Sequence, residues 1–85
     1  MKTEQSIQKR ISDDLTKDGW LVVKLIKTNC NGITDLMALR NGTTKFIEVK
    51  KPGGVISELQ KYRIKQLRSN GFESVVMDSP TNVIY

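Results

Sequence analysis

The chain has 85 residues, with 14 lysines and arginines against nine aspartates and glutamates, a net charge of +5, one cysteine and no histidine. That length fits one domain, 1–85, with a thin margin of buried surface that association into an oligomer would supplement. The absence of histidine excludes His general bases, Ser-His-Asp and Cys-His triads, zincins and His-metal nucleases, while a lone cysteine excludes an intramolecular disulfide and a Cys-rich zinc site.

The chain opens with Met1-Lys2-Thr3-Glu4-Gln5, which lacks the apolar core of a signal peptide. No apolar run approaches the ~20 residues that a membrane span requires. A cytoplasmic protein without a membrane partner is expected, in the host cell if a phage encodes it. Residues 3–18 read as a helix, with Thr3 as cap and Ile7, Ile11 and Leu15 at helical spacing. Glu4 falls in the same sector, which places an acid at the N-terminal end of the buried stripe. It either serves a site there or answers the helix dipole and reaches solvent.

Trp20 to Ile26 reads as a strand that is apolar on both faces, followed by a polar loop from Lys27 to Gly32. Cys30 lies in that loop and, with no histidine to activate it, is expected to be a partly buried thiol. Two strands follow, at 33–40 and 44–51, about Asn41-Gly42. Both residues tolerate the positive φ of a tight type I′ turn, so Arg40 pairs with Thr43. Counting outward, Asp35 stands opposite Glu48, where like charges repel. Lys50, two residues on, shares Glu48's face. Two opposed carboxylates at the end of an apolar hairpin call for a divalent cation, and acid, acid and lysine on one face suit a metal-dependent phosphodiesterase. A three-residue loop or a bulge would shift the register by one and separate them.

Pro52-Gly53-Gly54 ends the strand, either as a turn or as a backbone approach to phosphate. Residues 57–70 read as a second helix, with Ser57 and Gln60 at capping-box spacing and Asn70-Gly71 at the close. Gln60, Arg63, Ile64 and Leu67 share one face; Lys61, Lys65 and Arg68 form a separate basic stripe that tracks a phosphate backbone or is simply solvated. A strand at 73–77 follows, and Val83-Ile84-Tyr85 forms a short edge strand or part of a subunit contact. This order, α-β-β-β-α-β, predicts a mixed α/β fold with a central sheet covered on both sides, its last strand running parallel to a neighbour.

Phosphodiester hydrolysis needs an activated water and stabilisation of charge on the phosphate and the leaving oxygen. Hard ions held by oxygens supply this, and Asp35, Glu48 and the backbone carbonyl of Val49 suit Mg²⁺ or Mn²⁺. Lys50 is placed to position or deprotonate water. Glu4 can serve a second ion or the outer shell, and Gln60 can hydrogen-bond a ligand or water.

Glu4, Gly32-Ile33-Thr34-Asp35-Leu36, Ile47-Glu48-Val49-Lys50 and Ser57-Glu58-Leu59-Gln60 together resemble a VRR-NUC domain, the virus-type replication-repair branch of the PD-(D/E)xK nucleases. The resemblance spans Glu4 to Met77. It implies a restriction-endonuclease-like mixed sheet flanked by helices, Asp35 and Glu48 as Mg²⁺/Mn²⁺ ligands and Lys50 as the catalytic lysine. It also implies active-site positions for Glu4 and Gln60. Stand-alone members of this size resemble phage homodimers acting on branched DNA in the manner of Holliday-junction resolvases, with Lys51, Lys61, Lys65 and Arg68 left to bind DNA. The alternative is a basic nucleic-acid-binding module without hydrolytic activity, whose carboxylates merely end strands and whose binding is salt-sensitive. A third reading is an oligomerising subunit of a phage assembly.

Overall fold

A computed structural model describes residues 3–85. Helix α1 spans Glu4–Lys17 and is followed by strands β1 (Leu21–Lys24), β2 (Leu36–Arg40) and β3 (Thr43–Val49). Helix α2 (Glu58–Ser69), β4 (Glu73–Ser79) and the two-residue β5 (Asn82–Val83) complete the order. The expected elements are present, most with ends trimmed by a few residues; β3 begins one residue earlier and β4 runs on to Ser79, and the last strand lies at 82–83 rather than 83–85. It pairs antiparallel with β4 across an irregularity between Met77 and Ser79. Among the described residues no helix is long and apolar enough to cross a membrane.

The sheet order is β1-β2-β3-β4-β5. The first three strands form an antiparallel meander, and α2 carries the chain over to β4, which runs parallel to β3. Asn41 (φ 51°) and Gly42 (φ 77°) both lie in the left-handed region that a type I′ turn requires. The predicted register follows: Arg40 pairs with Thr43, and the ladder continues to Leu36 opposite Ile47.

Because side chains alternate across a strand, Val22, Leu36, Ala38, Ile47, Val49, Val75 and Met77 share one face. Helix α1 packs Ile7, Ile11 and Leu15 on that face, with Trp20 at its corner. The other face carries Glu48, Ser74 and Val76, and α2 covers it over β4 with the buried Ile64. Coverage there is narrower than expected. Over β1, β2 and β3, Leu21, Val23, Met37, Leu39 and Phe46 share the face, and Leu21 remains 63% exposed. Phe46 meets the ring of Phe72 edge-on at 5.8 Å, and Phe72 is itself 42% exposed.

At the opposite end of the sheet from the Asp35–Glu48 pair, the Arg40 guanidinium donates to the Asp18 carbonyl (2.7 Å) and carboxylate (3.1 Å) and stacks 4.3 Å above Trp20. This clamp ties the end of α1 to the hairpin. It lets the first turn of α1 stand beside the end of β3, where the acidic residues collect.

Candidate active site

The end of β3 places Glu48 and Val49 in the interior. Glu48 is 3% exposed and Val49 2%, while Lys50 is half-buried immediately beyond the strand. Asp35 lies one step past the last hairpin rung, so it takes the place opposite Glu48 that the turn count predicts. There its side chain does what a backbone carbonyl does further down the ladder: Oδ2 accepts the Val49 N–H at 2.8 Å. In an extended residue N–H and C=O point to the same side, so the Val49 carbonyl is directed toward β2 and Asp35 as well.

Two carboxylates so placed disfavour double ionisation. Burial first, then the charge and shared hydrogen bond of Asp35, push the Glu48 carboxyl from an ordinary 4.5 up to about 8; Lys50 opposes the rise and Glu4 adds to it. The arrangement brings Glu4, Asp35 and Lys50, from three places in the sequence, within electrostatic reach of Glu48.

Gln60 joins them from the other face. Its Nε2 donates to Glu48 Oε2 at 3.2 Å, while its Oε1 accepts the Ser57 N–H at 3.0 Å as the reciprocal half of the capping box. Glu4, at the first turn of α1, is exposed and does not sink into the apolar stripe. Its Oε2 lies 3.5 Å from the Lys51 backbone N–H, and it lines a cavity of about 200 Å³ with Gln5, Gln8, Asp35 and Val49. Gln5 and Gln8 are additions to the predicted set. The signal for Gln8 was present in the sequence, because it stands one helical turn beyond Glu4 and therefore on the same face.

Gly32 explains part of the Gly32-Ile33-Thr34-Asp35 segment. Its φ is +80°, and a Cβ there would stand 2.6 Å from Leu59 Cγ on α2. Arg63 holds the same loop by donating to the Asn31 carbonyl at 2.7 Å. Cys30 is half-buried with a free thiol.

The basic stripe on α2 is less open than its spacing suggested. Lys61 lies 3.4 Å from Glu58, and Arg68 donates to the carbonyls of Ser74 (2.8 Å) and Tyr85 (2.7 Å). Lys65 and Lys51 are exposed.

Among the described residues no three histidine, cysteine or acidic side chains are grouped to hold an ion by themselves. The donor set is two carboxylates and a carbonyl, all hard oxygens. It fits a small divalent ion that keeps several waters or substrate oxygens in its shell, and it does not fit zinc held by protein ligands alone.

Comparison with known proteins gives the family and the fold. Residues 2–80 match the VRR-NUC domain family. The "Putative nuclease p44" of Acyrthosiphon pisum secondary endosymbiont phage 1 is 32% identical over 77 residues, covering 89% of this chain and 83% of that protein. A solved VRR-NUC domain superposes with a TM-score of 0.81 at 28% identity, covering 91% of this chain and 85% of the other.

Proposed function

The chain belongs to the VRR-NUC family of nucleases, and from that premise we propose that it is a divalent-metal-dependent, structure-selective DNA endonuclease acting as a homodimer on branched DNA, a four-way junction above all. The observation that carries the reading is the pair Asp35 and Glu48 at the end of the β2–β3 hairpin, with Lys50 beside them.

Asp35, Glu48 and the Val49 carbonyl are the residues that would hold Mg²⁺ or Mn²⁺, with Glu4 as a ligand of a second ion or an outer-shell acceptor. When bound, the ion supplies charge neutralisation at the phosphate and acidifies water. Lys50 positions the attacking water, which gives up a proton to solvent as its oxygen bonds to phosphorus, and faces the negative charge that develops. One bridging P–O bond breaks, and the departing oxygen takes its proton from solvent. Gln60 holds Glu48 in place from α2. Lys51 and Lys65 are exposed and would meet the DNA backbone.

A homodimer is supported by the apolar sheet face that α2 leaves open, and two sites related by a two-fold axis match paired incisions across a junction. The alternative of a non-catalytic binding module draws less support, because two members of its basic stripe, Lys61 and Arg68, already have partners within the chain.

The test is cleavage of a labelled four-way junction beside linear duplex, flap and single strand, in Mg²⁺, Mn²⁺ or EDTA, with Glu48→Gln in parallel. Incision of the junction that requires the ion and vanishes in the variant is expected. Cleavage of flaps or single strands in preference to the junction would keep the nuclease and discard the resolvase. Binding without cleavage in any ion would return the protein to the binding-module reading.

A further inference from the structure

Gln60 makes two contacts that pull on opposite ends of one amide. Its Oε1 accepts from the Ser57 backbone N–H (3.0 Å), and its Nε2 donates to Glu48 Oε2 (3.2 Å). A primary amide has nearly the same shape when turned by 180°, so packing alone holds either orientation. The Ser57 N–H breaks that symmetry, because it can only donate and therefore selects the oxygen end. The nitrogen end is then obliged to face Glu48. Turned the other way, the amide would set its NH₂ against the Ser57 N–H, and that contact would be lost.

We infer that Ser57 is a positioning residue for the active site: its backbone N–H fixes the Gln60 amide with the donor end on Glu48, so the cap of α2 orients a metal-binding carboxylate. The helix cap and the site share one side chain. The second half of the box, Gln60 N–H to Ser57 Oγ at 3.1 Å, stabilises the helix but leaves the amide's orientation alone. The two functions of Ser57 are therefore separable by substitution.

Ser57→Ala removes Oγ and keeps the N–H. Ser57→Pro removes both, and the native φ of −70° already matches the proline ring. The inference rests on the nuclease reading for its catalytic consequence, and the experiment has a separate arm for the geometry. In ¹⁵N spectra of the metal-free protein, the Gln60 side-chain NH₂ pair, assigned by its loss in Gln60→Leu, is expected at the same shifts in wild type and Ser57→Ala. In Ser57→Pro it should move toward the exposed glutamines and exchange faster with solvent. In junction cleavage Ser57→Ala is expected to keep the wild-type kcat within about twofold, while Ser57→Pro loses about tenfold in kcat at unchanged KM. In a Gln60→Leu background the two Ser57 variants should cleave alike.

Identical Gln60 resonances and equal kcat in the alanine and proline variants would overturn the inference. If circular dichroism finds the proline variant unfolded, an amide-to-ester replacement at residue 57, made by chemical ligation, deletes the N–H alone and is held to the same outcomes. A wild-type protein that cleaves nothing would overturn the nuclease reading, while the side-chain resonances would still decide the orientation.

Discussion

Burial and the adjacent Asp35 carboxylate favour the proton on Glu48 up to a pH of about 8, against an ordinary value of 4.5. Between those two pH values the folded chain binds more protons than the unfolded one, so this group makes stability fall as pH rises through the window, with the full loss reached above about 8. Glu48→Gln removes the charge and keeps an acceptor for Gln60. In EDTA it is expected to raise stability at pH 8.5 by on the order of 2 kcal/mol and to leave it nearly unchanged at pH 4.5. Thermal unfolding at the two pH values checks this, and an equal shift in Tm at both would remove the electrostatic account. The same variant is expected to lose cleavage, since stability and function ask opposite things of this carboxyl. Gly32 presents a simpler case. A methyl group there meets Leu59 at 2.6 Å in a backbone conformation that L-residues avoid, so Gly32→Ala should cost about 2 kcal/mol in urea unfolding. A cost below about 0.5 kcal/mol would mean that Leu59 simply moves aside.

The hairpin and the capped helix are the elements whose geometry could be read from local chemistry. Asn41-Gly42 admits one tight turn, that turn fixes the rungs, and the rungs deliver Asp35 to Glu48. Ser57 and Gln60 announce a helix start by spacing alone, and the box is present. That the same glutamine also reaches Glu48 was not legible, because it depends on where α2 crosses the sheet rather than on any residue within the helix. The fate of the cations was hidden for the same reason. Spacing puts Lys61, Lys65 and Arg68 on one stripe, yet Arg68 is claimed by the Ser74 and Tyr85 carbonyls, the latter 17 positions away, and its guanidinium stacks 5.1 Å from the Tyr85 ring. Arg68→Met should therefore act as a structural lesion: a loss of about 1–3 kcal/mol in stability with junction affinity little changed. Filter binding together with thermal unfolding separates the two. A drop in affinity with an unchanged Tm would restore Arg68 to the DNA footprint.

At the scale of the whole molecule, the two helices share the work unevenly. Helix α1 lies over the face formed by β1, β3 and β4, whereas α2 covers mainly β4. The sequence showed apolar residues on both faces and so suggested two complete layers. It could not show that a 12-residue helix following a parallel crossover is too narrow to roof five strands. The uncovered part carries Leu21, Met37, Leu39 and Phe46, and a two-fold partner seated there would bury it. Leu21 is 63% exposed, so Leu21→Glu should leave the monomer's stability within about 0.5 kcal/mol while halving the mass seen by sedimentation. A native mass already that of one chain would place no partner on this face. The long reach from Glu4 Oε2 to the Lys51 N–H, 3.5 Å across 47 positions of chain, carries a different consequence. Each pairing at the site joins groups from separate elements: Glu4 with Lys51, Asp35 with Val49, Glu48 with Gln60. No fragment of the protein contains a working centre in miniature. Catalysis should thus report on the integrity of the entire chain, and residual cleavage during denaturation should fade along the same curve as the helical signal.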